Sequence, residues 1–313
     1  MQTYLPRLEA LCDELRLKLK KAVERNAAPA LLFSGGLDTS ILAFLSPGIH
    51  ALSVMLEEFG EDFTYARTLS QTLGFQLHLR KVSVREALDA IPEVIKIRRS
   101  FDPALPNDLA LYFALKLASE KGFESVMTGD GSDELFAGYN YMFDLNLESY
   151  LLELVKRMEF SVGEIGLSLG VEVKQPFLDE ELVSFALSIK PDLKVREEDG
   201  RRYGKWILRK AFEPFLPREV IWQGKRPIEV GSGFTRLREI IASKIPDEEF
   251  AEAKRNYPIQ FLSKDHFFYY QVYRRVVGQM PSPQPGEERC PGCGAGINPS
   301  AFHCRICGWC RRL

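Results

Sequence analysis

The sequence predicts an α/β protein: a Rossmann-like parallel sheet, a helical C-terminal part and a small metal-bound tail. Three observations carry this. Short apolar runs alternate with helical patterns up to about residue 130, the signature of a parallel sheet covered on both faces. From about Tyr141 onward the strand signals fade and helical periodicity takes over. Five of the six cysteines, Cys290, Cys293, Cys304, Cys307 and Cys310, crowd the last two dozen residues, leaving Cys12 alone in the first helix.

In chain order, "MQTYLPRLEALCDELRLKLKKAVERN" is an amphipathic, charged helix without the apolar core of a signal peptide. "APALLFSGG" is a buried strand ending in a glycine turn, and "HALSVML" is a second strand. "EDFTYARTLSQTLG" has helical spacing, "QLHLRKVS" alternates like a strand, and Val84 to Ile91 makes a short helix. "NDLALYFALKLASEKG" is a helix with Asn107 as its N-cap and Gly122 just past its end. "ESVMTG" adds a strand; "EELVSFALSIK", "YGKWILRKAFEPF", "GFTRLREIIASKI" and "DHFFYYQVYRRVVG" are helical. "QMPSPQPGEER" holds three prolines among polar residues and reads as a linker. The expected division is a main domain over 1–278, a linker over 279–289 and a ribbon over 290–313. A formal net charge of −2 exerts no global pull on nucleic acid or membranes. No apolar run reaches the ~18 residues of a membrane span, so the expected address is cytoplasmic.

The chemistry concentrates in two glycine turns. In "LLFSGGLDTS", Leu31 to Ser40, Gly35 and Gly36 let backbone N–H groups turn inward at a helix start, where an anion is favoured. Ser34, Thr39 and Ser40 add hydroxyls, and Asp38 next to a phosphate calls for a bridging Mg2+. No G-x-x-x-x-G-K-[ST] pattern is present, so this is not the usual γ-phosphate loop. In "TGDGSDELFAGYN", Asp130, Asp133 and Glu134 crowd a second turn, which is costly unless a cation offsets their repulsion.

The S-G-G-x-D loop resembles the pyrophosphate loop of the N-type ATP pyrophosphatases, whose fold is adenine nucleotide α-hydrolase-like. "GDGSDELFAGY" resembles the G-E-G-S-D-E-x-x-G-G-Y signature of asparagine synthetases. "EDFTYARTLSQTLG", "LGVEVKQPFLDEELVSFALSI" and "GKWILRKAFEPFLPREVIWQGKRP" resemble further segments of that family in the same order, over roughly residues 25 to 245. The resemblance implies an AMP-forming ligase that uses ATP to adenylate a carboxylate, with aspartate leading, and then amidates it. Ser34, Gly35, Gly36, Asp38, Thr39, Ser40 and Gly129 would hold the nucleotide, with Asp38 and Asp133 on Mg2+. Lys225 would stabilise charge at the α-phosphate, and Asp130 and Glu172 would govern the amine. Lys205 and Arg209, four apart on one helix face, are placed either to reach phosphates or to line a solvated face. Asp179 is better placed to cap the following helix.

Three departures bear on the donor and the local contacts. Gln2 stands where glutamine-using asparagine synthetases carry their freed cysteine, so nitrogen is expected from ammonia, a partner glutaminase or an amine on the substrate. Gln223 replaces an arginine, and Lys174 or Gln175 stands near another. "KRPIEVGSGFT" also resembles the closing loop of β-lactam synthetases, which however carry a tyrosine where this chain has Asp130.

The tail "CPGCGAGINPSAFHCRICGWC" gives C-x2-C, ten residues, then C-x2-C, the spacing of a zinc ribbon. Cys290, Cys293, Cys304 and Cys307 are the expected Zn2+ ligands, with Cys310 and His303 as spare candidates. Arg305, Arg311 and Arg312 around Trp309 suit stacking on RNA, and tRNA-modifying ATP pyrophosphatases also carry ribbons. A protein-docking or homodimerising module is the other reading. A non-catalytic nucleotide-binding scaffold is set against the enzyme by the joint presence of Asp38, Asp133, Glu172 and Lys225.

Overall fold

The computed structural model describes residues 4–60, 62–225 and 228–311. Its centre is a five-stranded sheet in the order β3-β2-β1-β4-β5. The strands are β1 (Ala30–Leu32), β2 (His50–Leu56), β3 (Gln76–Val82), β4 (Ser125–Met127) and β5 (Glu172–Lys174). The pairs β1–β2, β1–β4 and β4–β5 run parallel, with Leu31 opposite both Ala51 and Met127. Every residue of β1 is buried, as a central strand of a parallel sheet requires. The α/β class read from the sequence stands.

Two compact units make up the chain. The first holds residues 1–53, 61–80 and 114–227. Here α1 (Tyr4–Arg25) buries Leu15, Leu19, Ala22 and Val23 in one core with Trp206, Ile207, Ala211 and Phe212 of the helix Trp206–Phe212. Arg25 forks onto Asp179 at 2.8 and 2.6 Å, and Asp179 accepts from Leu182 N to cap the helix Glu180–Ser188. Asp179 is thus the cap expected of it. α2 (Leu37–Leu45) follows β1, and α3 (Asp62–Leu73) follows β2.

The second unit holds residues 54–60, 81–113 and 228–313. α4 (Val84–Arg98) packs against the helix Lys264–Val276. It runs past Pro92, where the sequence reading stopped, because Val94 and Ile95 continue its buried face. α5 (Leu105–Glu120) starts earlier than Asn107, after a turn in which the Asp102 side chain accepts from Ala104 N at 2.7 Å.

The cysteine segment is docked within this second unit. Phe101 N donates to Ile306 O at 2.7 Å, and Gln260 donates from its backbone to Gly292 O at 2.8 Å and from its side chain to Pro291 O at 2.9 Å. His303 Nε2 lies 2.7 Å from Asp102 Oδ2. Gly308, at φ 73°, leaves no room for a Cβ against Asp102 and Pro103. Among the described residues no helix is long and apolar enough to cross a membrane.

Candidate active site

The strand order reverses between β1 and β4, and both glycine turns leave the C-terminal ends of those two strands. Open parallel sheets bind ligands at this kind of switch point. After β1, Phe33 N still donates to Leu52 O, and then Gly35 turns the chain at φ 73°. Ser34 Oγ accepts from Gly36 N and lies 3.3 Å from Thr39 Oγ1. Gln223 Nε2 donates to Gly35 O at 3.1 Å, so the departure noted at that position braces the loop. Ser40 is fully buried and donates to Gly36 O at 2.7 Å. Its hydroxyl closes the first turn of α2, which removes it from the expected hydroxyl donors.

The turn after β4 comes so close to the first that a Cβ on Gly129 would stand 3.1 Å from Asp38 Cβ. It leads into the single-turn helix α6 (Ser132–Leu135). Asp38 Oδ1 accepts from Ser132 Oγ at 2.7 Å, and Lys205 Nζ reaches both Asp38 oxygens at 2.8 and 2.7 Å. The same ammonium is 2.7 Å from Asp133 Oδ1, while Lys225 Nζ is 2.6 Å from Asp133 Oδ2. Asp38, Asp133, Lys205 and Lys225, which lie far apart in the sequence, therefore form one alternating set of charges. Asp133 Oδ1 is buried with the Lys205 ammonium against it, so the two carboxylates of Asp38 and Asp133 face one shared cation.

The charges perturb one another. Burial works to raise the Asp133 pKa, but Lys205 and Lys225 together hold it below the ordinary carboxylate value. Burial works to lower that of Lys225, but Asp133 and Asp38 raise it above the ordinary lysine value. Lys225 Nζ also lies 5.4 Å from the centre of the Tyr139 ring, whose hydroxyl donates to Glu134 at 2.8 Å. A Cβ on Gly138 would strike Asp133 Oδ1 and the Lys205 side chain, so glycine is required there.

Asp130 faces the same place. Its Oδ2 accepts from Thr128 Oγ1 at 2.6 Å and from Gln175 Nε2 at 3.5 Å. Burial raises its pKa above the carboxylate norm, against those two donors.

Two expected residues are elsewhere. Glu172 opens β5 opposite Ser125, at the end of the sheet away from the glycine turns; its side chain is 63% exposed and pairs with Lys174 at 2.6 Å. The family resemblance places it in a motif, but strand direction carries its carboxylate away from the glycine turns. Arg209 is buried, donates to the backbone oxygens of Gly204, Ile221 and Gln223, and so fixes the segment before Lys225 instead of reaching phosphates. Sequence reasoning missed Ser132, Tyr139 and Gln175. Ser132 and Tyr139 stand inside the quoted second turn, and Gln175 was marked only as a departure.

At the C-terminus the Sγ atoms of Cys290, Cys293, Cys304 and Cys307 all lie within 4.8 Å of one another. Cys290 and Cys307 are 3.7 Å apart and Cys293 and Cys304 3.9 Å. Tetrahedral coordination with metal–sulfur bonds of ~2.3 Å spaces sulfurs by about 3.8 Å, so the four fit a single ion. Cys310 is exposed, with Sγ 3.5 Å from Gly308 O, and His303 is turned to Asp102; neither joins the set. Arg311 pairs with Glu288 at 2.5 Å, and Arg312 lies outside the described residues.

An α/β chain with acid–base pairs at its switch point is a candidate nucleotide-dependent enzyme. Comparison with known sequences makes the assignment specific: the asparagine synthase model matches residues 13–164 and 163–289, and the chain belongs to that family. It is similar to a probable glutamine-hydrolyzing asparagine synthetase of Dictyostelium discoideum, 28% identical over 309 residues, covering 86% of this chain and 55% of that one. It is similar also to the glutamine-hydrolyzing asparagine synthetase of Asparagus officinalis, 27% identical, covering 80% and 47%. The chain spans about half the length of the curated relatives it matches. Among solved structures, the U34-tRNA thiolase NcsA of Methanococcus maripaludis, determined with its 4Fe-4S cluster, aligns with 97% of this chain and 89% of its own at 15% identity and a TM-score of 0.37.

Proposed function

We propose that this protein is an ATP-dependent, AMP-forming carbon–nitrogen ligase that adenylates a carboxylate, aspartate first, and amidates it with ammonia or another amine. The observation that carries the reading is the set formed by Asp38, Asp133, Lys205 and Lys225 where the two glycine turns meet. Ser34 to Thr39, with Gly129, would cradle the phosphates. Asp38 and Asp133 would hold Mg2+, which when bound neutralises charge on the departing pyrophosphate. Lys225 would offset the charge that develops at the α-phosphate as the carboxylate attacks.

Asp130 would then receive the proton of the attacking amine. Thr128 and Gln175 both hold its Oδ2, which orients the carboxylate, and burial makes it a stronger base than an ordinary carboxylate. Glu172 has no part in this account. Ammonia would come from solution or from a glutaminase partner. The cysteine cluster would hold Zn2+ in a structural role, because all four positions of a tetrahedral ion are filled by thiolates. A small carboxylate is favoured over tRNA because the ribbon's Arg311 is paired and its backbone is engaged with Phe101 and Gln260.

The test is incubation with Mg-ATP, ammonium and a panel of carboxylates led by aspartate, resolving AMP from ADP. The reading expects AMP and pyrophosphate in equal amounts with aspartate, together with asparagine. ADP as the product, or ATP bound without turnover on any small carboxylate, would overturn it.

A further inference from the structure

Lys205 is built into its position with unusual care. Its backbone stands at φ 57°, a left-handed conformation that costs energy for a residue with a side chain, and its N–H donates to Phe136 O at 2.8 Å. Ala137, one residue beyond Phe136, is likewise left-handed at φ 54°. Gly204 has no room for a Cβ against Ala137 O, and Gly138 has none against Asp133 and Lys205. Two strained residues and two obligatory glycines thus hold one ammonium between the carboxylates of Asp38 and Asp133. Its side chain is only 4% exposed.

That position is the one a divalent cation shared by the same two carboxylates would need. An entering metal must push the ammonium out of it, and a buried ammonium without an anion is strongly unfavourable. A nucleotide changes the balance, because its phosphates offer the displaced ammonium new anions. The exchange then conserves pairing: the metal takes the carboxylates and Lys205 takes the phosphates. Lys225, 2.6 Å from the other oxygen of Asp133, is a second positive neighbour of that carboxylate.

Resting on the nucleotide-binding reading above, we propose that Lys205 is the resident cation of the Asp38–Asp133 pair and admits a divalent metal only together with a nucleotide. Asp38 and Asp133 are therefore closed to free metal, and the order of loading is set by this lysine. The same lysine then serves as a phosphate ligand in the loaded enzyme.

The experiment uses the zinc-loaded full chain and Mn2+ as the probe, with free Mn2+ read by its EPR signal and protein-bound Mn2+ by gel filtration. The wild type is expected to show no Asp133-dependent Mn2+ binding with the ion alone and to acquire it when ATP is added, dependence being read against Asp133→Asn. Lys205→Met is expected to bind Mn2+ without ATP at least tenfold more tightly than the wild type, and to lose that site when Asp133→Asn is added. Asp133-dependent binding of Mn2+ alone to the wild type, as tight as to Lys205→Met, would overturn the proposal. Should Lys205→Met fail to fold, the wild type and Asp133→Asn with and without ATP still decide. Failure of ATP to bind at all would sink the nucleotide reading, while the Mn2+-only comparison of Lys205→Met with the wild type would still judge the lysine.

Discussion

Lys225→Met is expected to lower the rate of AMP formation by about 10²–10³-fold, the usual loss when one preorganised donor to a developing negative charge is removed. Lys225 Nζ sits 2.6 Å from Asp133 and above the Tyr139 ring, so its ammonium is already oriented before substrate arrives. Methionine keeps the length of the chain and its packing on the ring but removes the charge. Asp133 retains Lys205 at 2.7 Å, so the carboxylate is not left unpaired. The side chain is 31% exposed, and the variant should fold. The loss should therefore fall on kcat, with ATP still bound, which steady-state kinetics and equilibrium binding separate. A rate within a few-fold of the wild type would remove Lys225 from the chemistry.

Stripping the metal from the cysteine cluster is expected to loosen the second unit well beyond the ribbon itself. Few apolar residues are buried in the tail, Ala295 and Ile297 among them, so the ion must supply much of its folding energy. Four sulfurs within 4.8 Å would also repel one another as thiolates without a cation between them. The ribbon in turn receives hydrogen bonds from Phe101 N and Gln260 N. Chelation or Cys304→Ser should therefore raise hydrogen exchange at those two amides and lower the thermal midpoint by several °C for each kcal/mol lost. Metal-free protein in which both amides stay protected would show that the ribbon is an independent appendage. Zinc content measured before chelation identifies the ion.

The parts of the molecule legible in the sequence are those fixed by local chemistry. β1, the Gly35–Gly36 turn and α2 follow from an apolar run, a glycine pair and a helical period in one continuous stretch. The four clustered cysteines follow from spacing alone, and only geometry could exclude Cys310 and His303. β5 and the small hairpin of Arg196–Glu198 with Arg201–Tyr203 escaped notice because three residues are too few to show a period. The site was half legible. Asp38, Asp133, Lys205 and Lys225 could each be named from motifs, yet their mutual pairing depends on where distant segments meet. Glu172 and Arg209 show the converse: each matches a motif, but strand direction removes the first and burial against carbonyl oxygens occupies the second. Ser40 likewise satisfies its own helix, as hydroxyls in a first turn often do.

The most direct test of the central claim follows one oxygen atom. Aspartate labelled with ¹⁸O in its side-chain carboxylate is incubated with the protein, Mg-ATP and ammonium, and the products are read by mass spectrometry. Attack of the carboxylate on the α-phosphorus predicts one labelled oxygen in the phosphate of AMP and none in pyrophosphate. Unlabelled AMP, or label in inorganic phosphate accompanied by ADP, would contradict an acyl-adenylate and with it the assignment of the site.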